Sequence, residues 1–358
     1  MMVKTKDNIQ QFLDDLGGDE REIIIPKSGP VIDKLNGVRD MIIHEFDDGY
    51  NHILIRNNIK KIYKKIYKRL EELSLNLNYD KKDLTNFIHA NINLDIGNGN
   101  SILGVYSAYL LDKLNLDFYY IDGKGNEFDQ LFQGSQNCKN LIIENFQGDH
   151  VGADISTSGL LAFINNNGDK IGKSAGDQGE TNNVFYINNK GKEIGSTVAY
   201  EGKANNVFYI NNIGDLICYF VCVQGKINSI LALNNEGMGF GKDLANEGEI
   251  NNLIVKDNKS SKLFQGLGYK WGSVDTAYLI NNEGESKIMA HKINKFYVYN
   301  PLPDDPDDEK IKEEVFANYN QLIKQKNLSN IIKLADNPEQ CTGEEFAKYL
   351  VKISEEIR

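Results

Sequence analysis

Cysteine, proline and tryptophan are scarce in this chain of 358 residues, which contains 4, 6 and 1 of them. Four cysteines (Cys138, Cys218, Cys222 and Cys341) are too few to frame a disulfide-dependent domain of this length. Cys218 and Cys222 stand four apart, but no second Cys/His pair at zinc spacing completes a site. They read as small buried hydrophobes, and no metal is expected. No apolar run approaches the roughly 18 residues of a membrane-spanning helix. A basic surplus is also missing. The net charge of −11 argues against a general nucleic-acid binder, because neutralising phosphates takes an excess of Lys and Arg on the binding face. Met1 to Asp15 is polar and charged, without the apolar core of a secretory signal. Reduced thiols and the lack of that signal point to the cytoplasm.

Glycine is plentiful, at 32 residues, and asparagine recurs in pairs. The pairs are periodic. Asn182-Asn183-Val184-Phe185-Tyr186-Ile187-Asn188-Asn189-Lys190-Gly191 returns 23 residues later as Asn205-Asn206-Val207-Phe208-Tyr209-Ile210-Asn211-Asn212-Ile213-Gly214. Asn228 to Gly237 is the next copy, Asn251 to Ser260 a degraded one, and Asp275 to Gly284 one that is a residue late. Upstream, Leu161 to Gly168 fits, Leu141 to Gly148 fits less well, and Phe118 to Gly125 opens the series. Seven or eight units therefore span residues 115–300. Each unit holds three short apolar segments, for example Val184–Ile187 and those centred on Ile194 and Val198, separated by Gly and Asn, which tolerate positive φ. This spacing predicts a parallel β-solenoid of three-stranded coils, in which stacking buries what one coil cannot. Val184, Val207, Ile230 and Leu253 then form one column, and Ala175, Val198, Val221, Leu244 and Leu267 another. Asn188, Asn211, Asn234 and Asn281, with Asp257, share a slot that suits a ladder of side-chain amides. The same Ile-Asn-Asn-x-Gly signal also fits antiparallel hairpin repeats.

The turns carry a beat: Gly148-Asp149-His150-Val151-Gly152, Gly168-Asp169-Lys170-Ile171-Gly172, Gly191-Lys192-Glu193-Ile194-Gly195 and Gly237-Met238-Gly239-Phe240-Gly241. A further Gly follows at Gly179 and Gly202. Over about residues 115–290 this resembles the GXGXG-type right-handed β-helix, the repeat found in the glutamate synthase C-terminal domain and in formylmethanofuran dehydrogenase. Cys218 and Lys259-Ser260-Ser261 depart from the pattern. The resemblance implies a structural, inter-domain element without catalytic residues of its own.

A solenoid exposes its ends, and both flanks read as helical caps. Residues 58–75 set Ile59, Ile62, Tyr63, Ile66, Tyr67, Leu70 and Leu73 on one stripe and Lys60, Lys61, Lys64, Lys65, Lys68 and Arg69 on the other. Ser101 is read as the N-cap of a helix to Leu114. Pro301 to Glu309 reads as an acidic linker, and Lys310–Lys326 and Glu344–Ile357 as helices, the last with Thr342 as N-cap and Glu345 closing a capping box. The expected organisation is a helical N-terminal cap over residues 1–114, a mainly β solenoid domain over 115–300, a linker over 301–309 and a helical region over 310–358. The first strand is apolar on both faces, so its outer row, Phe185, Phe208 and Leu231, must be covered by the terminal helices or by another subunit.

Chemistry is less legible. Leu94-Asp95-Ile96-Gly97-Asn98-Gly99-Asn100, followed by Phe118-Tyr119-Tyr120-Ile121-Asp122, resembles the cofactor loop of S-adenosylmethionine-dependent methyltransferases, but the alternating strands and helices of that fold do not follow. Parallel β-helices also serve as polysaccharide lyases and hydrolases, whose carboxylates cluster on one face. Here Asp149, Asp154, Asp169, Asp177 and Glu180 fall at scattered slots, and His44, His52, His89, His150 and His291 are dispersed. The reading is a non-enzymatic scaffold or interaction module with a protein partner or a second copy. No catalytic, cofactor-binding or metal residue is assigned; a carbohydrate-active enzyme is the alternative.

Overall fold

In the computed structural model, residues 30–50, 59–74, 77–94, 96–97, 99–157, 159–268, 270–286, 293–299 and 308–357 are described. Met1 to Asp15, His52, His291 and most of the acidic linker lie outside them. Each unit contributes one strand to a single sheet: β1 (Phe118–Asp122), β2 (Asn140–Glu144), β3 (Leu160–Ile164), β4 (Glu180–Ile187), β5 (Lys203–Ile210), β6 (Lys226–Leu233), β8 (Glu249–Lys256), β10 (Ser273–Ile280) and β12 (Ile293–Tyr299). All the pairings are parallel and follow chain order, which overturns the hairpin alternative. The predicted column is observed, with Val184 paired to Val207, Val207 to Ile230 and Ile230 to Leu253. About seven coils are stacked.

The coils are not three-stranded. The second and third apolar segments run through a chain of turns in which alternate residues have positive φ: Gly191, Glu193, Gly195, Thr197, Ala199 and Glu201 in one coil. Alternating φ turns successive N–H groups up and down the stack. Glu193 donates to Asp215 above (2.9 Å), Gly195 to Ile171 below (2.9 Å), and Thr197 to Tyr219 above (2.8 Å). The backbone is therefore satisfied without extended strands. A second, three-stranded sheet forms only late, from β7 (Glu236–Gly237), β9 (Lys259–Leu263) and β11 (Glu283–Ser286). Glycine is obligatory at one corner: a Cβ on Gly214 (φ +154°) would lie 1.6 Å from the Gly191 carbonyl oxygen.

The amide ladder is present but sits one residue later than the sequence suggests. Asn166, Asn189, Asn212, Asn235, Asn258 and Asn282 form it, 0–8% exposed. Asn189 Nδ2 donates to Asn212 Oδ1 (3.1 Å) and to Phe163 O (2.9 Å), and the Asn189 N–H also reaches Asn212 Oδ1 (3.0 Å). The same set recurs at Asn212 and Asn235. The slot of Asn188, Asn211 and Asn234 has left-handed φ of 54–55° and turns its amides outward. These amides donate to the Pro338 and Ala335 carbonyls of the C-terminal helices.

The N-terminal end is closed by α1 (Val31–Tyr50), α2 (Ile59–Ser74), α3 (Lys81–Ala90) and α4 (Gly99–Leu114). Ile102 to Leu111 of α4 are all buried, because the helix lies between the others and the first coil. At its end the buried Asp112 accepts bonds from Ser135 Oγ (2.7 Å), Gln136 N (2.9 Å), Asn137 N (3.0 Å) and Tyr67 OH (2.9 Å). One carboxylate thus ties helix, cap and coil together.

The C-terminal helices α5 (Asp308–Gln325), α6 (Ser329–Asp336) and α7 (Gly343–Glu355) lie on the outer sheet face. Helix α5 starts inside the expected linker. Phe185, Phe208 and Leu231 are 0% exposed beneath this layer, packed with Val315, Ile331 and Leu350. Burying each such side chain is worth about 1.5–3 kcal/mol. That row is therefore covered by the chain's own helices. Thr342 does not cap α7 through its own side chain. Its hydroxyl instead donates to buried Glu144 of β2, which also accepts the Gly343 N–H (2.9 Å) and Tyr120 OH (2.8 Å). A carboxylate at a helix N-terminus does a capping residue's work, supplied here by tertiary contact.

Candidate functional site

An open groove of about 780 Å³ runs along the N-terminal ends of β4, β5, β6 and β8. Its geometry starts from a local irregularity. Pairing passes from Thr181↔Ala204 to Asn183↔Asn206 and omits Asn182 and Asn205. The register is unchanged on either side of the skipped pair. Asn182 and Asn251 are exposed and Asn205 and Asn228 half-buried. In contrast, Asn183 is buried and donates to the Ser354 carbonyl of α7 (3.1 Å). The stack repeats the skipped pair, so four amides line the groove, one per coil, about 4.8 Å apart.

A charged row flanks them. Glu180 pairs with Lys203 (2.7 Å), and Lys226 with Glu249 (2.7 Å). The Lys203 ammonium holds the Glu180 carboxyl below its usual range, and Glu180 raises the Lys203 ammonium. Both shifts move away from neutral pH, opposite to what general acid–base catalysis needs. Glu180 and Glu249 are three coil steps apart, about 14 Å by strand spacing, beyond the roughly 5–9.5 Å of paired glycosidase carboxylates. Ser156, Thr157 and Thr181 complete a polar wall, and Ala204 and Ile227 line the base.

The other acids are not gathered here. Asp149 and Asp169 do occupy adjacent coils, and their carboxylates accept the next coil's N–H, from Asp169 (2.8 Å) and Lys192 (2.8 Å). Asp154 accepts from Tyr63 OH (3.2 Å), and Asp177 lies in a half-buried turn. Among the described residues no group of His, Cys, Asp or Glu is arranged to hold a metal ion. His89 Nε2 lies 3.1 Å from the Asp122 carbonyl, and burial, with Lys170 and Lys173 nearby, pushes the His150 imidazole pKa down. Cys218 and Cys222 are buried, which pushes both thiols up to about 12. They are inert hydrophobes.

A smaller cavity of about 260 Å³ adjoins the Gly-rich loop, beside Asn93, Leu94 and Asn100. Ile92 and Asn93 form a turn rather than a strand, and β1 pairs with β2. Asp122 accepts from Lys124 N (2.8 Å) and Asn145 Nδ2 (3.0 Å), closing a turn. On α2, Lys64, Lys65 and Lys68 are exposed, while Arg69 bonds Glu45 (2.8 Å) and Glu72 (3.0 Å). Lys60 and Lys61 lie where side chains are not described. No helix among the described residues is long and apolar enough to cross a membrane.

Sequence reading missed the groove. Its signal was the first Asn of each repeat copy, Asn182, Asn205, Asn228 and Asn251, which recur every 23 residues. No family model, curated protein or solved structure matches the chain.

Proposed function

We propose that the chain is a non-catalytic scaffold whose solenoid holds an extended segment of a partner protein in this groove. The observation that supports it is the amide row of Asn182, Asn205, Asn228 and Asn251, in which Asn228 donates to Asn206 Oδ1 (3.4 Å) and accepts from Asn251 Nδ2 (3.3 Å). Among these, the side chains of Asn182 and Asn205 make no hydrogen bond within the described residues. Side-chain amides of this kind suit a peptide backbone, which has the same donor–acceptor pair. The charged row is balanced, two Glu against two Lys, so recognition rests on hydrogen bonds rather than net charge. The ion-paired state of the groove carboxylates also favours binding over catalysis. The test is site-specific photo-crosslinking in native extract at Asn205, with exposed Ile213 at another corner as reference. A discrete protein adduct at Asn205 alone, abolished by Asn228→Arg, is expected. No adduct, or equal adducts at both positions, overturns the reading. So does a glycan-cleaving activity that Glu180→Gln removes.

A further inference from the structure

The charges beside the groove are balanced in number but not in order. Along the stack they read Glu180, Lys203, Lys226 and Glu249, one per coil, with Lys203 and Lys226 as direct register partners. All four side chains are more than half exposed. The row ends in uncharged groups: Ser273 is the partner of Glu249 in the next coil, and Ser156 and Thr157 line the wall beyond Glu180. Like charges on neighbouring strands oppose pairing, whereas opposite charges support it. A row that serves stability alone alternates, as Glu236, Lys259 and Glu283 do on the second sheet. Here each ammonium is paired on its outer side, Lys203 with Glu180 and Lys226 with Glu249, both at 2.7 Å, and no acid of the row stands between the two lysines. Asn205, two residues on from Lys203 and lining the same groove, makes no side-chain hydrogen bond within the described residues.

Building on the scaffold reading of the groove, we propose that this charge order selects the partner: an extended protein segment with an acidic residue seated between Lys203 and Lys226 and a basic residue two positions away on either side. An ammonium has three donors, so each lysine can keep its glutamate and still donate to a carboxylate placed between them. The spacing agrees. The midpoint of the lysines is one and a half coil steps from each glutamate, about 7.2 Å. Two residues of an extended chain advance about 6.4–6.8 Å and bring side chains back to the same face. Residues i, i+2 and i+4 of such a segment therefore meet Glu180, the lysine pair and Glu249 in turn. The order reads the same from both ends, so it fixes the centre of the segment and leaves its direction to other contacts. Glu180 and Glu249 also repel a continuous polyanion, which makes a nucleic acid or an acidic polysaccharide a poor occupant.

The probe is a short fluorescent peptide with the core Arg-Ser-Asp-Ser-Arg, titrated with the full chain and followed by anisotropy. Saturable binding is expected below about 1 mM, at least about fivefold tighter than for Asp-Ser-Arg-Ser-Arg, which has the same composition and net charge. The second arm inverts the row on the protein. A chain carrying Glu180→Lys, Lys203→Glu, Lys226→Glu and Glu249→Lys keeps its net charge of −11, keeps both ion pairs in the reversed sense and changes only exposed side chains, so its far-ultraviolet spectrum should match the parent's. It should prefer Asp-Ser-Arg-Ser-Asp to Arg-Ser-Asp-Ser-Arg, a reversal that attraction to the net charge cannot produce. No saturable binding, equal affinity for the two peptides of one composition, or a preference that inversion leaves in place overturns the proposal. The crosslinked adduct at Asn205 separates charge order from the scaffold reading. An adduct lost in the inverted chain supports both. One that persists there removes the charge-order proposal and leaves the scaffold standing, and no adduct in the parent chain removes both.

Discussion

Replacing Asn212 with alanine tests the internal ladder directly. Asn212 is 0% exposed. Its Nδ2 donates to Asn235 Oδ1 (2.9 Å) and to Tyr186 O (2.9 Å). Its Oδ1 accepts both the Asn189 N–H (3.0 Å) and Asn189 Nδ2 (3.1 Å). The truncation removes the acceptor of both the Asn189 N–H and Asn189 Nδ2 inside the wall and takes one donor each from Tyr186 O and Asn235 Oδ1. An unsatisfied buried polar group costs about 1–3 kcal/mol, so the orphaned Asn189 N–H, the Asn189 amide left with Phe163 O alone and two weakened acceptors total about 3–5 kcal/mol. That is a large part of the roughly 5–15 kcal/mol that holds a typical domain together. Asn205, in the same coil but in the groove, is the internal control; its alanine variant should stay within about 0.5 kcal/mol of the parent. The assay is urea unfolding followed by far-ultraviolet circular dichroism, comparing midpoints at equal slope. A loss below about 1 kcal/mol for Asn212→Ala, or one matching Asn205→Ala, would show that the ladder contributes little.

Three further outcomes are expected. Burial raises the Asp112 carboxyl above its ordinary value of 3.8, partly offset by its hydrogen bonds. A raised folded-state value means this contribution to stability is complete below the unfolded value and is lost as pH rises through the folded one. The neutral Asp112→Asn variant should therefore show a flatter thermal midpoint against pH from 3.8 upward to the raised folded-state value; an unchanged slope there refutes the assignment. Gly214→Ala, which places Cβ 1.6 Å from the Gly191 oxygen, should lower stability by about 3 kcal/mol or more in thermal melts. Gly97→Ala, with open space around it, should lose only about 1 kcal/mol for its positive φ. Burial pushes Cys138, Cys218 and Cys222 up to about 12 and Cys341 to about 11, so intact-mass analysis should find no alkylation of the native chain and four adducts in urea.

Much of the architecture was legible because stacking copies a local decision many times. The column of Val184, Val207, Ile230 and Leu253 follows from spacing alone, since neighbouring coils must match residue for residue. The two asparagines of each pair were harder to assign. Adjacent residues with the same side chain differ only in direction, and direction depends on the left-handed φ at Asn188. The turn chain was missed for a related reason. Apolar residues at Ile194 and Val198 look like short strands, whereas Glu193, Thr197 and Glu201 adopt positive φ despite poor intrinsic preference. Hydrogen bonds to the coils above and below stabilise that choice, and they are invisible in any one unit.

Sequence alone determined the repeat, the residue columns that stacking makes of it, the glycines at its corners and the need to cover the outer row of Phe185, Phe208 and Leu231. These depend on periodicity and on the steric demands of single residues. Tertiary structure decided between parallel coils and hairpins, and which cover is used: the chain's own C-terminal helices, fastened by Asn188, Asn211 and the buried Glu144. It also decided that the scarce cysteines are inert and that the plentiful asparagines divide into a ladder, a docking row and a groove. Each of these depends on contacts between residues far apart in the chain, and burial and hydrogen-bond partnership exist only once those residues meet.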